Sequence, residues 1–191
     1  MLSKTEASKL DNRGTASRGL VIVYTGNGKG KTTASLGLAV RALGYDLNVL
    51  MLQFIKGSWF YGELDGAKKM APNFSIISLG KGFVGIIDDN KPLSEHQRAA
   101  EEALREAKDR MLSGKYDILI LDEINYATSM KLISVKGVLD LIRSKPRKLT
   151  LVLTGNNVDQ QVIDVADLVT EMKSIKHPFE KGMSARKGVD F

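Results

Sequence analysis

A glycine-rich stretch near the start of the chain has the residue types of a phosphate-binding loop. The stretch reads Thr25-Gly26-Asn27-Gly28-Lys29-Gly30-Lys31-Thr32-Thr33. Backbone N–H groups of such a loop converge on phosphate oxygens, while Lys31 would bring a positive charge and Thr32 a hydroxyl ligand for Mg²⁺. Thr25 stands where the general pattern G-x-x-x-x-G-K-[ST] has glycine. The stretch predicts a triphosphate site, and the alternative is a glycine-rich turn that binds nothing.

Two acids follow a later apolar run and could serve the same site. Asp122 and Glu123 come directly after Ile118-Leu119-Ile120-Leu121. In a chain with a phosphate loop, a buried strand that ends in acids is typical of the carboxylate that holds Mg²⁺ directly or through water. The alternative interpretation is a strand end with solvated acids.

Alternating strands and helices must position these residues. The apolar run 20–24 before the loop predicts a buried strand, and residues 34–43 after it predict a helix that ends at Gly44. We expect a P-loop NTPase-like (RecA-like), doubly wound, mostly parallel α/β sheet of five or six strands with helices on both faces. Further strands are predicted at 47–55, 74–79, 116–123, 149–154 and 168–175, and helices at 94–112, 131–143 and 159–165.

Some positions carry narrower expectations. Residues 1–18 are polar and predict a mobile N-terminal arm, so that residues 19–191 form the domain. Ser94 is a candidate helix cap, His96 is expected to be exposed in the first turn of its helix, and His177 is expected to be structural. The last strand, at 168–175, is expected at an edge of the sheet.

Composition limits the class of protein. The 191 residues are 43% apolar and 26% charged, which is ordinary for a globular chain. The absence of cysteine excludes disulfides, thiolate catalysis and cysteine-bound metal clusters, and it fits a reducing cytoplasm. No apolar run has membrane-spanning length, and no signal peptide is evident.

The net charge of +6 is compatible with nucleic acid or membrane lipid as a partner, and equally with a site for a polyanion such as a nucleoside triphosphate. The basic residues are scattered, and aromatic residues make up only 6% of the chain. We therefore rank a small anionic ligand above nucleic acid and expect neither nucleic acid nor membrane as a partner.

The predicted site contains basic groups but no evident nucleophile. Lys29, Arg41 and Lys56 add positive charge, and no histidine lies close in sequence to the acids. The loop 56–63, which holds a lysine, three aromatic residues and an acid, either contributes to the site or packs on its own aromatic side chains. These features favour a second substrate that brings its own nucleophile. Two alternatives remain, namely a P-loop ATPase or kinase that acts at the γ-phosphate, and a nucleotide-dependent nucleic-acid-binding protein.

Five segments of the chain match one family in order: YTGNGKGKTTASLGLAVRALG, LQFIKGSWFYGE, ILDEINYA, LVLTGNN and VADLVTEMKSIKHPFEKGMSARKGVDF. Together they resemble the P-loop class of ATP:corrinoid (cob(I)alamin) adenosyltransferases. The resemblance runs from about Arg18 to the carboxyl terminus, and it includes Thr25. It implies transfer of the 5′-deoxyadenosyl group of ATP to the Co(I) centre of a reduced corrinoid, with release of triphosphate. Because Co(I) is a strong nucleophile, no protein base is required.

The resemblance also implies roles for particular residues. Lys31, Thr32 and Glu123 would be catalytic, with Mg²⁺ (or Mn²⁺) held by Thr32 and Glu123, helped by Asp122. Arg41 would contact the nucleotide, and the loop of Phe83 would lie over the corrin ring. The sequence departs from the family here, because Gly82-Phe83-Val84-Gly85 lacks the tryptophan of the family's GF-x-W. The triphosphate, in a reversed orientation, would be held by Asn27, Gly28, Lys29, Gly30, Lys31, Thr32 and Thr33.

Partners are implied in the same way. The family resemblance implies a cytoplasmic homodimer in which the N-terminal arm helps to cover the site. It also implies a reductase that donates electrons to the corrinoid.

Overall fold

The computed structural model describes residues 18–57, 61–82 and 92–190. Its six strands form one sheet in the order β3-β2-β4-β5-β1-β6, in which every pair of neighbours is parallel. This confirms the predicted parallel α/β sheet. The strands are β1 Val21–Thr25, β2 Val49–Gln53, β3 Phe74–Ser78, β4 Ile118–Asp122, β5 Thr150–Thr154 and β6 Leu168–Glu171.

Helices connect the strands and lie on both faces of the sheet. They are α1 Lys31–Leu43, α2 Gly62–Lys69, α3 Leu93–Leu112, α4 Ile124–Ser129, α5 Val135–Arg143 and α6 Gln160–Val165, followed by a 3₁₀ turn at Pro178–Lys181. No helix in the described parts of the chain is both long and apolar enough to cross a membrane.

The core is split into two clusters by the sheet. Val21 and Val23 of β1 belong to one cluster and Ile22 to the other, because successive side chains of a strand point to opposite faces. The central strands β2 and β4 are buried along their whole length. Burial on both faces explains why these strands read as continuous apolar runs instead of alternating ones.

The last strand is shorter than predicted. β6 lies at an edge of the sheet, as expected, but it ends at Glu171 and not at residue 175. Glu171 is in register with Thr25, where β1 itself ends, so the chain has no neighbouring strand beyond that point. The chain then turns toward the phosphate loop, and Met172 N donates a hydrogen bond to Thr25 O at 2.8 Å.

The helix starts differ from the sequence prediction, by one residue in α3 and α6, three in α1 and four in α5. The helix expected at 131–143 begins at Val135, because Lys131 has a left-handed φ of 57° and Ser134 caps the helix through Gly137 N. In α3 the predicted cap Ser94 is wrong, because the helix begins at Leu93 after Pro92 and no side chain caps it. The short helices α2 and α4 were not predicted.

His96 is buried, which contradicts the expectation that it is exposed. Only 3% of the residue is accessible. It falls on the same helical stripe as Ala99, Ala103 and Ala107, which face the sheet, so its first-turn position does not bring it to solvent. His177, in contrast, is structural as expected, since its Nδ1 accepts from Phe179 N at the start of the 3₁₀ turn.

The topology brings the predicted site together. Because all strands are parallel, the ends of β1, β2, β4 and β5 reach the same edge of the sheet. The connection from β1 crosses to β2 and skips β4 and β5, which leaves a crevice beyond the carboxyl ends where ligands bind in open α/β sheets.

Candidate functional site

A cavity of about 540 Å³ opens at this edge of the sheet. Residues from four parts of the chain line it: the phosphate loop, the segment after β2 with the start of α2, the end of β4, and the carboxyl-terminal segment. Its lining comprises Lys29, Gly30, Lys31, Thr32, Thr33, Leu36, Lys56, Tyr61, Gly62, Glu63, Glu123, Gly188, Val189 and Asp190.

The phosphate loop folds around the side chain of Lys31. Lys31 Nζ donates to Gly26 O at 2.7 Å and to Gly28 O at 3.0 Å. Burial lowers the pKa of Lys31, although the carboxylates of Glu123 and Asp122 oppose this shift. Gly30 has a φ of 120°, a backbone conformation that glycine adopts without the Cβ strain of other residues, so the loop can turn directly into α1.

Asp122 lies behind the loop and orients the Thr32 hydroxyl. Its Oδ1 accepts from Thr32 Oγ1 and from Thr154 Oγ1, both at 2.9 Å, and the side chain is completely buried. Because Thr32 donates its proton to Asp122, the lone pairs of its oxygen are directed elsewhere and remain available to a cation. Thr154 was not singled out from the sequence, since a threonine at a strand end carries no signal of its own.

The other oxygen of Asp122 is also occupied. Gln53 Nε2 and Lys56 Nζ both lie 3.5 Å from Asp122 Oδ2. With donors on both oxygens and no accessible surface, Asp122 is arranged to orient its neighbours. Glu123, the next residue, lines the cavity together with Lys31 and Thr32.

Glu123 combines an unusual backbone conformation with a partly buried position on the cavity wall. Its φ is 63°, and its backbone N–H donates to Thr154 Oγ1 at 2.9 Å, which fixes the start of α4. Burial, together with the negative charge of Asp122, raises the pKa of Glu123 to about 7, against the opposing effect of Lys31 and Lys56. Glu123 therefore changes charge near neutral pH.

The loop after β2 contributes to the site through an ion pair. Lys56 Nζ lies 2.6 Å from Glu63 Oε1 and 4.6 Å from the centre of the Tyr61 ring. Burial lowers the pKa of Lys56, but Asp122, Glu63 and Tyr61 outweigh it, so the net shift is upward. Of the two interpretations of this loop, the described part supports a wall of the cavity. Residues 58–60, including two of its aromatic residues, lie outside the described chain.

The first half of the phosphate loop is bound to the segment that follows β6. Gly28 N donates to Met172 O at 2.7 Å, and Asn27 Oδ1 accepts from Ser174 N at 3.2 Å. A side chain at position 28 would come within 2.8 Å of Met172 O, so the close approach requires glycine. Contacts over this sequence distance leave no local signal, which is why the sequence did not indicate them.

The carboxyl-terminal segment was also missed. Asp190 Oδ1 lies 2.7 Å from Lys29 Nζ, and Gly188 and Val189 line the cavity beside it. The Lys29 ammonium and the backbone N–H of Arg186 lower the pKa of Asp190. The turn-prone tail gave no indication that it returns to the loop.

Among the predicted site residues that the structure describes, Asn27, Gly28 and Arg41 do not line the cavity. Arg41 is exposed in the last turn of α1, ten residues from Lys31 and therefore roughly 15 Å along the helix axis. Phe83 lies outside the described residues. The described chain reaches Gly82, whose N–H donates to Ile55 O at 3.0 Å, so the segment that carries Phe83 leaves from beside the loop after β2.

Comparison with known proteins supports the interpretation of these motifs. A sequence model of the family "ATP:corrinoid adenosyltransferase BtuR/CobO/CobP" matches residues 17–191. The chain is 32% identical to the corrinoid adenosyltransferase of Escherichia coli K12 over 91% of its length and 86% of the relative's. It is 35% identical to corrinoid adenosyltransferase CobA of Salmonella typhimurium, again covering 91% and 86%, and 37% identical to a Sinorhizobium relative, covering 98% and 87%.

A solved structure supports the fold alone. The flagellar accessory protein FlaH of Methanocaldococcus jannaschii superposes with a TM-score of 0.53 over 90% of this chain and 78% of FlaH. The two sequences are only 14% identical, so the likeness concerns the α/β architecture.

Proposed function

The chain belongs to the ATP:corrinoid adenosyltransferase family, and from this premise we propose how its phosphate-loop cavity performs the transfer. The protein is a corrinoid adenosyltransferase, which moves the adenosyl group of ATP to a corrinoid. The observation that carries the proposal is that Lys31, Thr32 and Glu123 line one cavity that has no cysteine or histidine among its described lining residues. Such a cavity is suited to hold a leaving group while a substrate supplies the nucleophile.

In this mechanism the protein acts on the triphosphate. The Co(I) centre of the reduced corrinoid attacks C5′ of ATP, a Co–C bond forms, and the C5′–O bond breaks with its electron pair going to triphosphate. Lys31 would leave the carbonyls of Gly26 and Gly28 and bind the phosphates, neutralising charge that develops as the bond breaks. Free N–H groups of the loop and the Lys29 ammonium would bind further phosphate oxygens.

The residues present fit a Mg²⁺ ion, or Mn²⁺, carried by the triphosphate. The Thr32 hydroxyl and the Glu123 carboxylate are hard oxygen donors on the same cavity, and Asp122 orients the hydroxyl. No group of three or more His, Cys, Asp or Glu residues in the described chain could hold a metal unaided, which agrees with an ion that keeps phosphate and water ligands. When bound, the ion would supply positive charge to the phosphate oxygens.

The corrinoid would approach from the side of the loop after β2. Gly57 and Gly82 meet there so closely that a Cβ at position 57 would lie 2.8 Å from Gly82 N. The segment that holds Phe83 begins at this junction, and the family resemblance assigns Phe83 to the corrin ring. The assignment of Arg41 to the nucleotide has no support from the described cavity and rests on the resemblance alone.

One experiment separates this function from its main rival. With reduced corrinoid and Mg-ATP, the protein is expected to form a light-sensitive Co–C bond and to release triphosphate. A P-loop ATPase or kinase would instead release orthophosphate or transfer it, and would form ADP. Detection of ADP and orthophosphate as the only products, with or without reduced corrinoid, would overturn the proposal.

We further infer a homodimer that works in the cytoplasm with an electron-donating reductase. The open edge strand β6 supports a second copy, since Leu168 and Val169 are 42% and 39% accessible there. Light scattering is expected to give twice the chain mass, and Leu168→Glu is expected to give the mass of one chain. A wild-type protein of single-chain mass at micromolar concentration would exclude the dimer.

A further inference from the structure

The segment from Met183 to Asp190 follows the 3₁₀ turn and belongs to no strand or helix. Its end lies between two cavities. Lys29, Val189 and Asp190 line the phosphate-loop cavity, and the same three residues line a second cavity of about 270 Å³ beside the tail. The contact between Lys29 and Asp190 therefore stands at the boundary of both spaces.

This contact places a carboxylate on a cation of the phosphate loop. Asp190 Oδ1 lies 2.7 Å from Lys29 Nζ, while Asp190 Oδ2 accepts from Arg186 N at 2.8 Å. The second bond closes a turn over residues 186–190, so the carboxylate is held in place by its own segment. The side chains of Lys29 and Asp190 are 44% and 25% accessible. Because solvent weakens such an ion pair, another anion can replace the carboxylate at Lys29.

We propose that Asp190 is an autoinhibitory anion that occupies Lys29 until a polyphosphate displaces it and thereby releases residues 183–190 from the loop. The inference rests on the proposed function, because it takes triphosphate as the ligand of the loop. One lysine cannot neutralise both anions, and a carboxylate left in place would repel the incoming phosphates. The polyphosphate carries more charge and also binds Lys31 and the loop N–H groups, so it displaces the carboxylate.

Calorimetry with inorganic tripolyphosphate tests the competition without any corrinoid. Asp190→Asn removes the competing charge and is expected to tighten binding about three- to fivefold. Asp140→Asn is the matched control, since it removes one charge from an exposed ion pair on α5 and should leave the affinity unchanged. If Asp190→Asn binds tripolyphosphate as tightly as the wild type or more weakly, the carboxylate does not compete and the proposal is wrong.

Limited trypsin digestion tests the release of the segment. Arg186 and Lys187 are exposed cleavage sites within it. Saturating tripolyphosphate should accelerate cleavage there in the wild type, and Asp190→Asn should be cleaved quickly without ligand, as followed by mass spectrometry. Protection of these bonds by tripolyphosphate would show that the segment closes on the ligand. That result would contradict the proposal that the ligand releases residues 183–190. A wild-type protein that binds no tripolyphosphate at all would instead refute the triphosphate assignment on which the inference rests.

Discussion

At the scale of single residues, Lys31 is the group with the largest expected effect on turnover. We expect Lys31→Ala to lower kcat by about 10²–10³-fold, because the charge that stabilises the departing triphosphate is lost. The fold should persist, since the ammonium is bound by carbonyls of its own loop and its burial is unfavourable to the charge. Steady-state kinetics with excess reduced corrinoid measures the first effect, and thermal unfolding the second.

The exposed Lys136 provides a control for that variant. Lys136→Ala also removes one positive charge, but from an exposed pair on α5, and it should leave kcat unchanged. Retention of more than half of the wild-type kcat in Lys31→Ala would contradict the assigned role.

Glu123 makes nucleotide binding sensitive to pH. Its pKa of about 7 in the free protein means that the carboxylate is partly protonated at neutral pH. Since only the ionised form can hold the cation of Mg-ATP, affinity should rise as the pH increases from 6 to 8, and binding at pH 6.5 should release a proton from Glu123. Calorimetry in two buffers of different ionisation enthalpy measures this proton. Glu123→Gln should bind Mg-ATP more weakly and release fewer protons on binding. Equal proton release from both proteins would show that Glu123 does not bind the cation.

At the scale of elements, the junction of the phosphate loop with the end of β6 determines whether the loop keeps its shape. A Cβ at position 28 would lie 2.7 Å from the carbonyl carbon of Lys173. Gly28→Ala should therefore separate the two segments, cost about 1–3 kcal/mol in the free energy of unfolding and weaken triphosphate binding. Urea unfolding and tripolyphosphate calorimetry measure the two effects.

Gly37 in α1 provides a control for Gly28→Ala, because the space around it is open. Its added Cβ would meet nothing within 4 Å, so Gly37→Ala should stabilise the protein by about 0.5–1 kcal/mol through helix propensity. If both variants changed stability by the same amount and in the same direction, the close approach at Gly28 would not be the cause.

The same elements show what the sequence could predict. Strands buried on both faces must be apolar throughout, so β1, β2, β4 and β5 were evident from their composition. Lys31, Thr32 and Glu123 were predictable because a local motif or a strand end carries them. The burial of His96 was predicted wrongly, because the width of the buried face of a helix depends on the elements that pack against it. The spacing of apolar residues in the sequence does not specify that width.

Contacts between distant segments escaped the sequence for a different reason. Thr154 meets Asp122, Met172 meets Gly28, and Asp190 meets Lys29 only because the sheet order places their segments side by side. Neither composition nor spacing encodes these meetings, whereas the motif residues follow one another along the chain. The part of the site that was missed is therefore the part built from long-range contacts.

At the scale of the whole molecule, Glu123 is expected to lower the stability of the free protein as the pH rises from acid to neutral. The pKa of Glu123 is raised from 4.5 to about 7, so the folded state favours its protonated form. This contribution to stability is fully present below pH 4.5 and is lost as the pH rises through 7. Across that window the stability of the wild type should fall by up to about 3 kcal/mol relative to Glu123→Gln, whose amide does not ionise.

Denaturant unfolding of both proteins at pH 5 and pH 8 measures this difference. The gain in stability from Glu123→Gln should be larger at pH 8 than at pH 5 in the free protein. At pH 8, saturating Mg-ATP should make the wild type more stable than Glu123→Gln. The ionised carboxylate then binds the cation, whereas the neutral amide cannot neutralise it. A difference between the two proteins that does not change with pH would show that Glu123 ionises normally in the folded chain. In that case the ionised carboxylate would not destabilise the free protein, and nucleotide binding would have no such destabilisation to relieve.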